Sequence, residues 1–366
     1  MKLKVGNITK IRTGKLDANA SSPDGKYPFF TCSKNPLKIS TYSYDCECVL
    51  VAGNGDLNVK YYNGKFDAYQ RTYIIEDNSN GLLYMPYLYY FFEGYIEKLR
   101  KQSIGGVIKY IKLGNLTNAL IELPSIEEQK YIVNLINISS ELIDLRRETI
   151  NKLDSLVKAR FIEMFGNPAT PGDKFKTCKL GEVADVKSSH RVFSTEFVNE
   201  GVPFYRGTEI SVLASGQQPE DPYRISMDHY LKIASDDSKP IRGDLLLPSI
   251  CNKGQVWMVN TDEPFYYKDG RVLCISPHCS LFDSRYLQFY MKMRTEAEYP
   301  KLGSGSTFAE FKIFQLKELL VDIPPMNAQK SFCLFADQVD KSKLAVQKSL
   351  EKTQQLFDSL MQEYFG

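Results

Sequence analysis

Short polar segments that combine basic residues with amides and hydroxyls recur along the chain. Lysine and arginine suit phosphates and guanine edges, asparagine and glutamine suit adenine edges, and hydroxyls suit either. Because these segments fall in turns, we predict that they form a DNA-binding set. Its members are Lys15, Asn19, Ser33, Lys34, Asn35, Lys101, Gln102, Ser103, Ser188, Ser189, His190, Arg191, Asn252, Lys253, Ser304, Ser306 and Thr307. For any single member a solvated loop is the simpler interpretation, and only the set points to DNA.

Sequence motifs for catalysis and cofactor binding are absent. No glycine-rich phosphate loop ends in Gly-Lys-Ser/Thr, and Asn167-Pro168-Ala169-Thr170 departs from the Asn/Asp-Pro-Pro-aromatic motif of amino-group methyltransferases. The three histidines lack HExxH spacing and the eight cysteines form no CxxC pair, so we predict no metal site and reduced thiols. These absences favour a binding protein with no catalytic residues and no cofactor of its own. An enzyme with an unfamiliar site is the second hypothesis.

Composition and length favour a globular chain of two domains. The 366 residues exceed the usual size of one domain, and 43% apolar with 25% charged residues excludes a collagen-like or largely disordered chain. No apolar run approaches the roughly 20 residues that cross a bilayer, and the first residues lack a signal peptide's apolar stretch. We therefore expect no membrane partner and a cytoplasmic location. The net charge of +2 means that any basic surface is local.

An internal repeat organises the chain. The segments around Pro124 and Phe165 recur around Pro324 and Phe365, a shift of 200 positions. The same shift pairs Leu116 with Leu316, Leu120 with Leu320, Gly105 with Gly305 and Arg71 with Arg271. A looser correspondence, at a smaller shift, links Val5-Gly6-Asn7-Ile8 to Leu180-Gly181-Glu182-Val183 and residues 25–29 to 201–204. We therefore predict a variable domain at 1–124, a long helix at 125–168, a second variable domain at 169–324 and a second long helix at 325–366.

The two segments after the repeated prolines carry the seven-residue spacing of coiled coils. In the first, Ser125 suits the N-cap and Glu128 suits the position that reaches back to it. The predicted pairing or subunit-contact residues are Ile136, Ile143, Ile150, Val157, Met164, Val339, Val346, Leu350, Phe357 and Leu360, with Leu135, Leu142, Leu153 and Leu156 widening the first stripe. About 40 helical residues make a rod of roughly 60 Å. We predict that the two rods pair antiparallel and give approximate two-fold symmetry, the symmetry of a split duplex site; ordinary core helices are the alternative.

The remaining segments predict two mixed α/β domains and an α+β protein. Short aromatic and β-branched stretches between turns, such as Cys48–Ala52 and 271–275, are typical of strands. One helix per domain is predicted, near 84–100 and 284–298. The tyrosines and phenylalanines of 85–95 suit either base stacking or core packing, and their helical spacing favours the core.

These features resemble type I restriction-modification specificity subunits over essentially the whole chain. In that family a target-recognition domain ends in a Gly-Ser-like turn and a strand, and Pro-Pro-x-x-x-Gln then opens a conserved helix. The matching residues are Gly105-Gly106, Leu123-Pro124 and Gln129 in the first copy, and Gly303-Ser304-Gly305-Ser306, Pro324-Pro325 and Gln329 in the second. The first copy has Pro124-Ser125 in place of two prolines but keeps the family's Glu-Gln as Glu128-Gln129. Glu47–Val51 and Gly243-Asp244-Leu245-Leu246 look like the family's Gly-Asp-hydrophobic strand.

The resemblance implies a non-catalytic subunit that joins two methyltransferase subunits and two ATP-dependent restriction/translocase subunits on double-stranded DNA. Its two target-recognition domains, separated by two long antiparallel coiled-coil helices, would each read one half-site, and the helices would fix the spacer between them. S-adenosylmethionine, ATP and magnesium would belong to the partner subunits. Base contacts do not carry over from the family. A coiled-coil scaffold or regulator that binds protein rather than DNA is the remaining hypothesis.

Overall fold

The computed structural model describes residues 1–234, 238–302 and 309–366. The predicted contacts Ser304, Ser306 and Thr307, and the second glycine-serine turn, lie outside the described residues. Two compact units make up the chain, Met1–Ile150 with Ala345–Gly366, and Asn151–Leu344. Each unit therefore contains one mixed α/β domain and part of each long helix.

The first domain is built on a six-stranded sheet. Its elements, with the first long helix, are β1 (Lys2–Lys4), α1 (Val5–Ile8), β2 (Thr9–Thr13), β3 (Tyr27–Phe30), β4 (Leu37–Ile39), β5 (Tyr44–Ala52), β6 (Val59–Ala68), β7 (Thr72–Asp77), α2 (Met85–Gln102), α3 (Leu113–Thr117), β8 (Leu120–Glu122) and α4 (Ile126–Phe165). The sheet order is β2-β7-β5-β6-β3-β4, and only β3 and β6 pair in parallel. A separate ribbon joins β1 to β8.

The second domain divides its strands between two four-stranded sheets. Its elements are β9 (Thr177–Lys179), α5 (Leu180–Val183), β10 (Ala184–Lys187), β11 (Phe197–Val198), β12 (Val202–Tyr205), α6 (Gly207–Ala214), β13 (Tyr223–Ile225), α7 (Met227–Ile233), β14 (Leu245–Pro248), β15 (Trp257–Met258), β16 (Tyr266–Tyr267), β17 (Val272–Pro277), α8 (Ser284–Glu298), α9 (Ile313–Glu318), β18 (Leu320–Asp322) and α10 (Met326–Phe365). The sheet orders are β10-β17-β14-β15 and β11-β13-β12-β16, and β9 pairs with β18. The prediction of one helix per domain is therefore wrong here, because α6 and α7 lie between strands.

Corresponding backbone contacts recur in the two domains. The amide of Val5 donates to the carbonyl of Ala119 at 2.9 Å, and the amide of Leu180 donates to that of Leu319 at 2.8 Å. In both domains this contact continues a two-stranded ribbon, β1 with β8 and β9 with β18. The looser sequence correspondence of residues 5–8 with 180–183 is thus confirmed as a structural repeat.

Each core includes one end of each long helix. Ile132 from α4 and Phe365 from α10 lie in the first core, with Leu88 and Phe92 of α2 and the sheet strands. Phe165 from α4 and Phe332 from α10 lie in the second, with Leu245, Tyr286 and other residues of that domain. Residues separated by 200 positions therefore perform the same packing in the two domains. The aromatic stretch 85–95 supplies buried side chains to the first core, which confirms core packing over base stacking.

The helices α4 and α10 run antiparallel within each unit. In the second unit Lys343 bonds Asp154 at 2.5 and 2.7 Å, and the rings of Phe161 and Phe332 are 5.1 Å apart, so residue numbers rise along one helix as they fall along the other. In the first unit Arg147 donates to Gln354 at 3.5 Å and Ile132 lies in one core with Phe365, so residue numbers again rise along one helix as they fall along the other. The predicted α+β class, with two mixed domains and two long antiparallel helices, is confirmed.

The side chains predicted to pair the helices differ in burial. Ile136, Ile143, Val157 and Val339 are buried, and Ile150, Met164, Val346, Leu350, Phe357 and Leu360 are half-buried. Leu142 and Leu156 are instead 38% and 48% exposed and lie outside the buried stripe. Between Ile136, Ile143 and Ile150, a second set of positions seven residues apart on the same face of α4 is occupied by Ser139 and Arg146. Polar residues therefore occupy part of the buried stripe.

Candidate nucleic-acid interface

The polar turns of the first domain come together around Arg71, the residue before the inner strand β7. The amide of Lys15 donates to the carbonyl of Ala68 at 3.2 Å, and the amide of Gly53 donates to the carbonyl of Arg71 at 2.8 Å. The thiol of Cys32 lies 3.5 Å from the same Arg71 oxygen. Turns far apart in sequence therefore meet around Arg71, at the beginning of β7. Five predicted contacts lie in these turns and are exposed: Lys15, Asn19, Ser33, Lys34 and Asn35.

A glycine-containing loop at 104–110 joins the same group of turns. Ile104 and Tyr110 exchange backbone hydrogen bonds of 3.0 and 2.9 Å, and Gly55 donates to the carbonyl of Lys109 at 3.0 Å. The backbone of Gly105 has φ +115, a conformation that favours glycine. This loop brings Lys109, which sequence reasoning missed, beside the turn that follows β5.

The predicted residues at the end of α2 are used differently. The Gln102 side chain accepts a hydrogen bond from the Asn115 amide at 3.2 Å, and the Ser103 hydroxyl donates to the carbonyl of Arg100 at 2.6 Å. Lys101 is exposed. Gln102 and Ser103 therefore fasten the helix end, and Lys101 is the member of this trio that presents a charge to solvent.

The second domain places Arg271 in the same backbone frame as Arg71. The amide of Ser249 donates to the carbonyl of Arg271 at 2.8 Å, as the amide of Gly53 does to that of Arg71. Phe311 then donates to the carbonyl of Ser249 at 2.8 Å, matching a 2.9 Å bond from Ile111 to Gly53. Sequence reasoning left both arginines out of the DNA-binding set, although their spacing of 200 positions was the signal that could have found them.

The predicted residues 188–191 hold the loop that carries Arg271. The Ser188 hydroxyl donates to the carbonyl of Val272 at 3.3 Å and accepts from the amide of Gly270 at 2.9 Å. The Ser189 hydroxyl donates to a strand carbonyl at 2.6 Å, and Arg191 bonds Asp269 at 3.1 Å. The backbone amide of His190 donates to the Tyr266 hydroxyl at 3.0 Å. These residues therefore position the turn at the end of β16.

Beside this turn the second domain contains an open cleft of about 800 Å³. It lies between α6 and the loop after β14, and its polar lining includes Asn252, Gln255 and Arg271. Lys253, the neighbour of Asn252 in the predicted set, is exposed. The structure thus brings Asn252 and Arg271 to one surface.

Carboxylates that stay charged at neutral pH accompany the cations of this surface. A hydrogen bond from Lys312 and the charge of Arg271 hold the pKa of Glu310 below its ordinary value. Burial disfavours ionised Glu209, but hydrogen bonds from Arg206 outweigh it and lower the pKa of Glu209. The arginines are therefore oriented by ion pairs, and a phosphate approaching them competes with a carboxylate.

Among the described residues, no group of three or more His, Cys, Asp and Glu side chains has the arrangement of a metal site. The eight cysteines are free thiols. No helix in the described part of the chain has both the length and the apolar character needed to cross a membrane.

Residues 1–155 and 172–356 match the family model described as the type I restriction modification DNA specificity domain. The type I restriction enzyme EcoDI specificity subunit of Escherichia coli is 37% identical over 156 residues, which cover 43% of this chain and 34% of that protein. A putative type I restriction enzyme specificity subunit of Haemophilus influenzae is 21% identical over 328 residues, 86% of this chain and 80% of that protein. The match thus spans about a third of the first relative's length and most of the second's.

Two solved structures share the fold over the whole chain. The S subunit of a type I restriction-modification system from M. genitalium has a TM-score of 0.63 at 15% identity, with 100% of this chain and 96% of that chain covered. A chain from work on complex assembly and conformational transition of the type I restriction-modification system has a TM-score of 0.61 at 18% identity, with 100% and 97% covered.

Proposed function

Because this chain belongs to the type I restriction-modification DNA specificity family, we propose that it recognises a two-part DNA sequence with one domain for each half-site. The two matched segments each contain one of the repeated domains. The observation that carries the proposal is the shared frame of Arg71 and Arg271, in each domain an exposed arginine that precedes an inner strand and lies among polar turns. Such a surface supplies cations for phosphates and side chains for base edges.

The long helices α4 and α10 act as a spacer of fixed length and as a platform for other subunits. Two related domains carried by antiparallel helices match a target whose half-sites are separated by unspecified base pairs. Engagement of both half-sites by one chain raises affinity without new contacts, because the second binding event is intramolecular. Large apolar side chains are exposed along these helices and suit contact with helices of methyltransferase subunits: Ile138, Leu145, Leu334, Leu344 and Leu356.

The chain itself performs no catalysis in this proposal. Two methyltransferase subunits bring S-adenosylmethionine, and restriction/translocase subunits bring ATP and magnesium. The specificity chain contributes DNA recognition and assembly, and the complex works in the cytoplasm. The sequence of this chain lacks motifs for methyl transfer and nucleotide hydrolysis, which agrees with the assignment of both reactions to the partner subunits.

The experiment is to express the chain with the methyltransferase subunit of its own system and to map methylated bases by sequencing. We expect one bipartite motif. Replacement of residues 1–124 by the corresponding domain of a relative should change one half-site alone, and replacement of 169–324 should change the other. A methylation pattern that is the same with and without this chain, or with either replacement, would contradict the proposal.

A further inference from the structure

We propose that the cleft of about 800 Å³ in the second domain reads one DNA strand of the second half-site, with Asn252, Gln255 and Arg271 as specificity-determining residues. This inference rests on the proposed function and assigns residues to one of its two half-sites. The cleft combines cations, amides and hydroxyls with apolar lining residues that include Val212, Pro248 and Ile250. Duplex DNA offers the matching combination of phosphates, base edges and the apolar thymine methyl group.

The loop that carries both amides is fixed in place. Gly254 has φ +62, and a Cβ there would lie 2.3 Å from the carbonyl oxygen of Lys292 on α8, so the loop packs directly on the helix backbone. The Cys251 thiol, itself buried, donates to the carbonyl of Gln255 at 3.3 Å. A loop held in this way presents its side chains without an ordering penalty when a ligand binds.

The two amides are oriented but not saturated. The Gln255 amide nitrogen donates to the Asn252 side-chain oxygen at 3.3 Å, and the Gln255 side-chain oxygen accepts from the amide of Lys253 at 3.0 Å. A carboxamide has two donor hydrogens and two acceptor lone pairs. Each side chain therefore keeps a donor and an acceptor for a base edge, the pair that adenine requires in the major groove.

Arg271 combines an anchor with free donors. One of its terminal nitrogens bonds Glu310 at 2.6 Å, and its side chain is 62% exposed. A guanidinium has five N–H donors, so the bond to Glu310 fixes its direction and leaves donors for a guanine edge or a phosphate. Lys268 and Arg206, on the same cleft, add charge near the path of a strand.

The open shape of the cleft favours a strand over a free small molecule. Sites for small ligands bury about 70–90% of the ligand surface, whereas this cleft is more open than enclosed. An extended strand needs such an opening because it enters and leaves the site. The cleft also lies beside Ser249 and Arg271, the frame that recurs at Gly53 and Arg71 in the first domain.

The cleft depends on an insertion that only the second copy contains. Six residues, 31–36, join β3 to β4, whereas 17 residues, 206–222, join the corresponding β12 to β13 and contain α6. In the first domain the same connection carries Ser33, Lys34 and Asn35. The two domains therefore present different surfaces in one shared frame, as two unlike half-sites require.

The test uses the complex with its methyltransferase subunits and the variants Asn252→Ala, Gln255→Ala and Arg271→Ala. We expect each to relax the methylated motif at one or two positions of the second half-site and to lower affinity for the cognate duplex by about tenfold. The first half-site should stay unchanged. Gln218→Ala, which removes an exposed amide beyond α6, is the matched control and should behave as wild type.

Two further variants separate reading from folding. Gln255→Glu keeps the oxygen that accepts from the amide of Lys253, and the Asn252 carboxamide can turn to donate to the carboxylate, so the loop should keep its fold. The preferred base at one position should change, since a carboxylate accepts from cytosine but cannot donate. Arg71→Ala should relax the first half-site and leave the second intact. If the variants are soluble and folded but still methylate the unchanged second half-site and bind the duplex as tightly as the wild type, the inference is overturned. In that case a bipartite motif for the wild-type complex would still uphold the proposed function. A wild-type complex without a bipartite motif would instead refute the function itself.

Binding of adenosine monophosphate to the complex in the absence of DNA tests the alternative that the cleft holds a free small ligand. We expect no binding that depends on Gln255. Nucleotide binding lost in Gln255→Ala, with the methylated motif unchanged, would assign the cleft to a free ligand and overturn the inference.

Discussion

Gln129 and Gln329 make the same three hydrogen bonds in the two copies of the repeat, and both are fully buried. Each side-chain oxygen accepts a backbone amide next to the domain helix, from Tyr84 at 2.8 Å and from Asp283 at 2.9 Å. Each side-chain nitrogen donates to two carbonyls, one in the preceding turn at 2.8 Å and one on the proline before the long helix at 2.9 Å. This contact joins the first turn of each long helix to the helix of its own domain, which explains why glutamine recurs after the proline.

Removal of this contact should destabilise the unit that contains it. Gln329→Ala leaves one amide and two carbonyls buried without a partner, and we expect a loss of about 3 kcal/mol in the free energy of unfolding. Chemical denaturation of the chain measures this loss. Gln338→Ala, on an exposed position of α10, should change stability by less than about 0.5 kcal/mol. Equal denaturation midpoints for both variants would show that the buried contact does not stabilise the domain.

The polar pair Arg146 and Thr353 should be replaceable by an apolar pair. Arg146 donates to the Thr353 hydroxyl inside the first unit, whereas the repeat places Val346 and Leu153 at the corresponding positions. Thr353→Leu alone should lower stability by about 1–2 kcal/mol because a half-buried guanidinium loses its acceptor. The double variant R146V/T353L should recover that loss or exceed it, since hydrophobic pairs of similar volume often replace buried polar ones without penalty. Additive losses in a double-mutant cycle would contradict this expectation.

Lys15 should contribute to phosphate binding without sequence preference. Its side chain is exposed, and its backbone lies among the polar turns around Arg71 in the first domain. For Lys15→Ala we expect equal loss of affinity for specific and unrelated duplexes, and a slope of log affinity against log salt that is smaller by about 1. Titrations of the complex at several salt concentrations measure both. Lys26→Ala is the control, because Lys26 is an exposed lysine that precedes β3, whereas the polar turn with Ser33 and Lys34 follows that strand. Selective loss for the specific duplex would assign Lys15 to base reading instead.

The length of α4 and α10 should set the spacer. Insertion of seven residues into each helix keeps the heptad pattern and adds about 10.5 Å. At 3.4 Å per base pair this corresponds to roughly three more unspecified base pairs. Sequencing of methylated sites should show the longer spacer with both half-sites intact. Altered half-sites with the original spacer would refute the role of the helices as a ruler.

The Glu209 ion pair should make the second domain sensitive to acid. Hydrogen bonds from Arg206 lower the pKa of Glu209 below its ordinary 4.5 despite burial. A carboxyl group whose pKa is lower in the folded than in the unfolded protein stabilises the fold at pH values above its unfolded-state pKa. This stabilisation is lost as the pH falls through the folded-state pKa. Glu209→Gln should therefore lower the urea midpoint at pH 7 and bring the midpoints at pH 7 and pH 3 closer together. Glu220→Gln, on an exposed glutamate, should keep the wild-type difference.

The repeat, the two long helices and the domain helices α2 and α8 were predictable from sequence because their signals are local. The signals are the prolines before each long helix, a Ser-x-x-Glu start in the first helix and apolar residues repeated every seven positions. Each of these signals lies within a few turns of one helix. The predicted end of the first long helix at residue 168 was wrong by three residues, because α4 ends at Phe165 and Gly166 follows with φ +86, a conformation that stops the helix. The family resemblance rests on these same local features.

Only the tertiary structure decided which polar residues share a surface. Ser188 and Ser189 form part of the same kind of polar turn as Asn252 in sequence, yet their hydroxyls bond carbonyls 84 and 78 positions away and hold a loop. Arg71 was recognised from sequence only as the repeat partner of Arg271, and the hydrogen bond from the amide of Gly53 to its carbonyl places it among the polar turns. Hydrogen bonds between distant residues determine these placements, and no local pattern encodes which turn meets which.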